Sequence, residues 1–438
     1  MPIRPLRDLP PRGGWGKGDV LVLFGELFGR GYANGIVEAA RRAGMSVVGA
    51  TVGRRDDGGP LRALRDEERA AAERALGGPI VNVPLEAGFD LEPPDGGGPT
   101  PVEQLEGKKP AAWREIPLDR DALARSRAAG ARRFERAAEA FASALPGLVP
   151  EGANVLFVHT MAGGFPRARV YMPLMTRVFR GTGEKFIRSA DFWASDLGRL
   201  WEASFEAVTA DTWRTLVAAT APLRERAAAA GRRVRYVAYG YHGCEVLVGG
   251  RLAWQSYVPY LQGWAKQRLE RHAEEAWAAG VRGTVWNAPE IWTNSSALFL
   301  GVEVSLYPLL LALRAAGPGT AAVERAWERS RALLRDGATL EGLLARADAY
   351  LGHPVLAPYR DPETWPHHAE REQQELMLAA SEETLAMSAD PKNPVCAELS
   401  KVVFGGIGRL MLDAAWEPPG PVLWAGHDVI ARRAVEDG

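Results

Sequence analysis

Cysteine is scarce in this chain: 438 residues carry only Cys244 and Cys396. Two thiols cannot build a disulfide framework or a structural zinc site, so the fold must rest on its core, and a reducing, cytoplasmic setting is expected. Net charge is missing too. The 53 Lys and Arg against 54 Asp and Glu leave -1, which gives no global field to gather nucleic acid or an anionic membrane. No apolar core of a signal peptide opens the chain, and residues 1–17 read as a flexible lead-in. The longest apolar run, Ala297 to Leu313, is broken by Glu303 and Pro308. It falls short of the roughly 20 residues a membrane span needs, so it reads as a buried or pocket-lining segment. The seven histidines are scattered apart from His367-His368, and neither H-E-x-x-H nor G-x-S-x-G occurs. Metal and hydrolase chemistry therefore have little to stand on, and no metal is expected. Cys244 reads as a small buried residue.

The remainder looks like an ordinary globular protein, with 47% hydrophobic and 24% charged residues. Asp19 to Phe24 (DVLVLF) is a short β-branched run, followed by glycines and an Ala-rich helical segment from Ala33 to Ala43. Met45 to Thr51 closes a βαβ unit. Asn154 to Val158, Val234 to Tyr239 and Val281 to Trp286 are further continuous apolar strands separated by helical stretches. Such alternation predicts an α/β, Rossmann-like, doubly wound parallel sheet with helices on both faces. The Gly/Pro-rich stretch at about 85–115 reads as an inserted surface excursion, and from about Leu340 the pattern turns mainly helical. The expected organisation is a lead-in (1–17), a Rossmann-like domain (18–339) and a C-terminal helical extension (340–438).

Gly25, Gly29 and Gly31 follow the first strand and open the first helix. Glycines there let the backbone approach a pyrophosphate, whose charge suits the helix N-terminus, so they are candidate dinucleotide-binding residues. Arg54 and Arg55 follow the second strand, where an acid would more often meet the ribose of NAD. Two guanidiniums favour a 2′-phosphate, hence NADPH, with NADH as the alternative.

The second constellation is VAYGYHGCE (Val237 to Glu245), followed by SYVPYLQGWAKQRLE (Ser256 to Glu270), which holds Tyr257 and Lys266 as Tyr-x8-Lys. A tyrosine hydroxyl is protonated at neutral pH and can donate to a developing oxyanion, and a nearby ammonium helps it ionise. On one continuous helix nine residues turn through roughly 900°, which separates the pair. Pro259 offers a helix start between them, leaving Tyr257 ahead of the helix and Lys266 within it. Packed aromatics and a snorkelling lysine are the competing reading. The third is NAPEIWTNSS (Asn287 to Ser296) after a predicted strand, where Ile291 and Thr293 could shape a loop over a cofactor. A plain turn with Thr293 or Asn294 as helix N-cap competes.

In this order the segments resemble the short-chain dehydrogenase/reductase superfamily, and within it the enoyl-[acyl-carrier-protein] reductases of the long Tyr-x8-Lys class, of FabV or FabMG type. HTMAGG (His159 to Gly164) is similar to the family's segment at the end of its fourth strand, which implies that Met161 and Ala162 run along the cofactor. AYGYHGCE with Tyr257 and Lys266 resembles the family's tyrosine and lysine pattern, and about 290–316 its acyl-pocket region. The likeness covers roughly Gly18 to Leu334. The Tyr241 to Lys266 interval is longer than in the long family, which makes Tyr260 a rival to Tyr257. The resemblance implies NAD(P)H-dependent reduction of the carbon–carbon double bond of a trans-2-enoyl thioester, on acyl carrier protein or CoA, in fatty acid biosynthesis. Tyr257, with Tyr241, would stabilise or protonate the enolate, and Lys266 would bind the nicotinamide ribose.

A basic strip, Arg167, Arg169, Arg177, Arg180, Lys185 and Arg188, could steer an acidic acyl carrier protein or the phosphates of CoA if its members share a face. Two other functions compete: a carbonyl reductase with the same fold and Tyr/Lys pair, and a non-catalytic NADP-binding protein.

Overall fold

A computed structural model describes the chain except for residues 1–2, 30, 57–58, 241, 257–260, 294–299 and 367. Seven strands form a parallel sheet: β1 (Val20–Phe24), β2 (Ser46–Thr51), β3 (Ile80–Pro84), β4 (Val155–His159), β5 (Val234–Tyr239), β8 (Gly283–Asn287) and β9 (Val422–Trp424). Their order is β3-β2-β1-β4-β5-β8-β9, and β6 (Gly243–Val248) with β7 (Arg251–Ser256) forms a separate antiparallel hairpin. The doubly wound, Rossmann-like architecture is the expected one.

The central strands are apolar throughout because both faces are covered. Val20, Val22 and Phe24 of β1 enter one core, with Phe134 and Phe141 of the helix Arg120–Ala144. Leu21 and Leu23 enter the other, with Ile36 of the helix Ala33–Arg42. The period of two divides β4 in the same way, Val155 and Phe157 against Leu156 and Val158.

The C-terminal region is mainly helical, as expected, and it also completes the sheet. It supplies the edge strand β9 and the helix Val395–Trp416, which crosses Ala33–Arg42 so closely that a Cβ on Gly35 would fall 1.7 Å from Phe404 O. The supposed flexible lead-in is anchored: Leu6 N donates to Trp424 O at 2.7 Å, Arg7 pairs with Glu245 at 2.7 Å, and Trp15 packs edge-on against Trp416. An apolar anchor outweighs the flexibility its proline content suggests. In the Gly/Pro-rich stretch at 85–115, likewise, Phe89, Leu105 and Trp113 are buried in the main core. Glu303, the charge within the apolar run, is fully buried and accepts from Ser381 Oγ and from Gly301 N at 2.7 Å. Among the described residues no helix is long and apolar enough to cross a membrane.

Candidate active site

The strand order reverses direction between β1 and β4, and in open parallel sheets ligands sit in the crevice at that switch point. Phe24 faces His159 in the register, so Gly25 leaves β1 beside Thr160. A Cβ on Gly25 would lie 2.3 Å from Thr160 Oγ1 and 3.2 Å from Met161 Sδ, and its φ of +124° also suits glycine. Glycine is required there because the Thr160 and Met161 side chains fill the space a larger residue would need. Gly29 and Gly31 lie in open space; their loop is tied down by Asn34, whose Nδ2 donates to Phe28 O at 2.8 Å and Gly31 O at 3.0 Å. Phe28, at the loop's tip, is 62% exposed.

Beyond Met161, which is buried, and the exposed Ala162, the loop docks on a π-helical turn, Glu206–Asp211. Thr209 Oγ1 donates to Gly163 O at 3.0 Å and accepts from Gly163 N at 3.1 Å. Single π-turns often mark functional sites. His159 is buried; desolvation and the neighbouring Lys266 push its pKa well down, so the ring is neutral. Thr212 Oγ1 donates to Val208 O, which leaves it to accept from His159 Nε2 at 2.8 Å.

Lys266 lies on the helix Leu261–Ala278, only 6% exposed and with no carboxylate partner among the described residues. Desolvation pushes its pKa down to about 7. The helix is fixed at two points that the sequence reading missed. Glu270 accepts from Asn287 Nδ2 at 2.7 Å and faces His242 Nδ1 at 3.2 Å, while Asn287 Oδ1 accepts from His242 N at 2.9 Å. This buried trio joins the ends of β5 and β8 to the helix. Asp211, in turn, bonds Arg268 Nε at 2.8 Å, Arg127 at 3.0 Å and His272 Nε2 at 3.2 Å. Burial opposes its charge, but His272 and the two arginines hold the carboxyl well below the usual range. Tyr241, Tyr257, Pro259 and Tyr260 lie outside the described residues, as do Asn294 and His367.

After β8, Ile291 is buried and Thr293 half-buried. Trp292 N donates to Ser400 Oγ at 2.7 Å, and the Tyr32 hydroxyl donates to Pro289 O, so the loop after β8 is tied both to the helix Val395–Trp416 and to the glycine loop. The two guanidiniums expected to meet a 2′-phosphate are engaged elsewhere. Arg54 pairs with Glu26 of the glycine loop at 2.7 Å, and Arg55 with Glu86 at 3.0 Å. Nothing in the sequence pattern marked those carboxylates as partners, because they lie 28 and 31 residues away. The basic strip is also partly neutralised. Arg167 pairs with Asp90 and Glu86, both at 2.7 Å, Arg188 bonds Glu370 at 2.9 Å, and Arg177 Nε donates to Lys185 O at 3.2 Å.

Insertions leave the ends of three neighbouring strands, β4, β5 and β8. They meet around a narrow apolar pocket lined by Phe179, Val246, Val248, Trp254, Leu351 and Met377.

A family model for the enoyl-acyl carrier protein reductase FabMG matches residues 2–434. The chain belongs to that family. It is thus an enoyl-acyl carrier protein reductase, an oxidoreductase that reduces the double bond of an enoyl thioester, as the tyrosine and lysine pattern implied. It is similar to a solved apo structure of FabMG, a novel type of enoyl-acyl carrier protein reductase, at 46% identity with a TM-score of 0.94, over 99% of this chain and 98% of that one. It is also similar to an NADH-bound FabMG structure at 38% identity and a TM-score of 0.79, over 100% of both chains. No curated protein matches.

Proposed function

We propose that this enzyme reduces trans-2-enoyl groups carried on acyl carrier protein, taking NADH in preference to NADPH. The crevice suits a dinucleotide: Gly25 makes the turn at the end of β1, and Met161, Ala162, Ile291 and Thr293, on the loops after β4 and β8, are the residues we assign to the cofactor. When bound, the nicotinamide supplies the hydride that reaches the β-carbon. The chain's own residues do the rest. Lys266 holds the ribose and biases the tyrosine toward its active state; Tyr257, aided by Tyr241, donates to the thioester oxygen as enolate charge develops. The tail of the acyl chain lies in the apolar pocket lined by Val246, Trp254 and Met377.

The observation that carries the assignment of roles is Lys266, a buried cation with no counter-charge among the described residues, next to the His159 end of β4. A structural lysine would be paired or would reach solvent; one poised near neutrality beside the crevice suits proton handling. Preference for NADH is supported by the similar NADH-bound structure and by Glu26, whose carboxylate occupies Arg54 and would repel a 2′-phosphate.

The test is loss of absorbance at 340 nm with NADH, then NADPH, against trans-2-enoyl thioesters of acyl carrier protein and of CoA, with an acetoacetyl thioester as control. Enoyl-dependent oxidation with NADH ahead is expected, and it should disappear in Tyr257→Phe while cofactor binding persists. Oxidation with the ketone alone would replace the reaction assigned here, and an NADPH preference would remove the role given to Glu26.

A further inference from the structure

Tyr241 and Lys266 come from different elements, and one buried polar cluster connects their surroundings. Gly240 and His242, the residues on either side of Tyr241, are both held at the end of β8. His242 N donates to Asn287 Oδ1 at 2.9 Å and Gly240 N to Trp286 O at 2.7 Å, while a Cβ on Gly240 would fall 2.3 Å from Asn287 Oδ1. Asn287 is itself pinned, its carbonyl accepting from Ala425 N at 2.8 Å. Its Nδ2 donates to Glu270 Oε1 at 2.7 Å, and the other Glu270 oxygen lies 3.2 Å from His242 Nδ1. The His242 ring sits edge-on against Trp365, with centroids 4.8 Å apart. Glu270 stands four residues after Lys266 on the helix Leu261–Ala278, one turn further along the same face.

Asn287 is fully buried, and His242 and Glu270 are each more than nine-tenths buried. Burying an amide, an imidazole and a carboxylate costs more than packing apolar side chains of the same size, which would join strand and helix without that penalty. What hydrogen bonds add is a fixed length and direction. We propose that Asn287 and Glu270 are positioning residues for the reduction, holding the backbone on both sides of Tyr241 at a set distance from the helix turn that carries Lys266. This deepens the roles given above to Tyr241 and Lys266 and rests on them.

The experiment uses the full chain with NADH and a trans-2-enoyl-CoA. Asn287→Ala should lower kcat about tenfold, because a small misplacement of reacting groups costs rate. The helix keeps its other anchor at Asp211, so the KM for NADH should change less than about twofold. Glu270→Ala should behave alike, whereas Glu270→Gln, whose amide can still accept from Asn287 and donate to the His242 ring, should recover most of the rate. The deciding readout is a double-mutant cycle: on a Tyr241→Phe background Asn287→Ala should cost less than about twofold further, since the hydroxyl it positions is gone. Should Asn287→Ala fail to fold, as its Tm would show, Glu270→Ala takes its place in the cycle. Unchanged kcat in the folded alanine variants, or losses that add independently in the cycle, would overturn the proposal. A Glu270→Gln enzyme as slow as Glu270→Ala would also overturn it, by giving the work to the carboxylate charge. Full kcat in Tyr241→Phe is a separate failure, that of the tyrosine's role on which the proposal rests.

Discussion

Two stretches of one helix treat their basic side chains in opposite ways. On Leu261–Ala278, Lys266 is buried and has no carboxylate among the described residues, and its pKa falls to about 7. Arg268 and His272, two and six residues further on, converge on Asp211, which Arg127 also reaches. The first arrangement costs stability and leaves a group poised to exchange a proton; the second holds the helix against the π-helical turn. Residues that do chemistry are often poorly satisfied, and firmly paired neighbours keep them in place.

The comparison breaks most visibly at Lys266. Lys266→Met should lower turnover by roughly a hundredfold or more, and it should raise stability by about 1–3 kcal/mol in urea unfolding near neutral pH, because an unpaired buried ammonium is gone. A loss of activity accompanied by a loss of stability would make Lys266 a structural residue. Asp211→Asn should do the reverse. It leaves two guanidiniums and an imidazole without their shared carboxylate and should cost about 2 kcal/mol of stability, discounted from a fully buried pair because the site is partly exposed. An unchanged midpoint would show that the network holds nothing.

The pH dependence sharpens the contrast. Lys266 titrates near 7 in the folded chain against an ordinary 10.5, so between those values the unfolded chain binds more protons. Its contribution therefore raises stability as pH climbs from about 7 to 10.5 and is lost as pH falls through 7. The stability gain of Lys266→Met should accordingly be largest below pH 7 and fade toward pH 10.5, as urea titrations across that range would record. For Asp211, whose folded pKa is depressed, stability is present above the ordinary carboxylate pKa of 3.8 and is lost as pH falls below it. The smallest effect is expected at the crevice mouth, where Glu26→Gln frees Arg54 and should move the NADPH/NADH ratio of kcat/KM toward NADPH by about fivefold; steady-state kinetics with both cofactors would check it.

Much of this was legible in the chain. Strands β1, β2, β4, β5 and β8 announce themselves because a strand covered on both faces must be apolar at every position. The hairpin β6–β7 also left a signal, the Gly249-Gly250 turn between two strand-like runs, with φ of +55° and +75°. Nothing announces β9, three residues long, since so short a strand exists only by pairing with β8. At the candidate site, Gly25 and Lys266 could be singled out by their place next to strand and helix. The partners of Arg54 and Arg55 could not, and two arginines read as phosphate ligands proved to be engaged with Glu26 and Glu86.

By itself the sequence determined the kind of sheet, the position of the glycine turn and the family pattern of tyrosine and lysine, because each depends on backbone conformation or residue order within a short window. Only the tertiary structure decided which charges are free. Ion pairing depends on distances between segments that fold together from far apart, and so it was the folded chain that paired Arg54, Arg55 and Arg167 and left Lys266 with no carboxylate among the described residues.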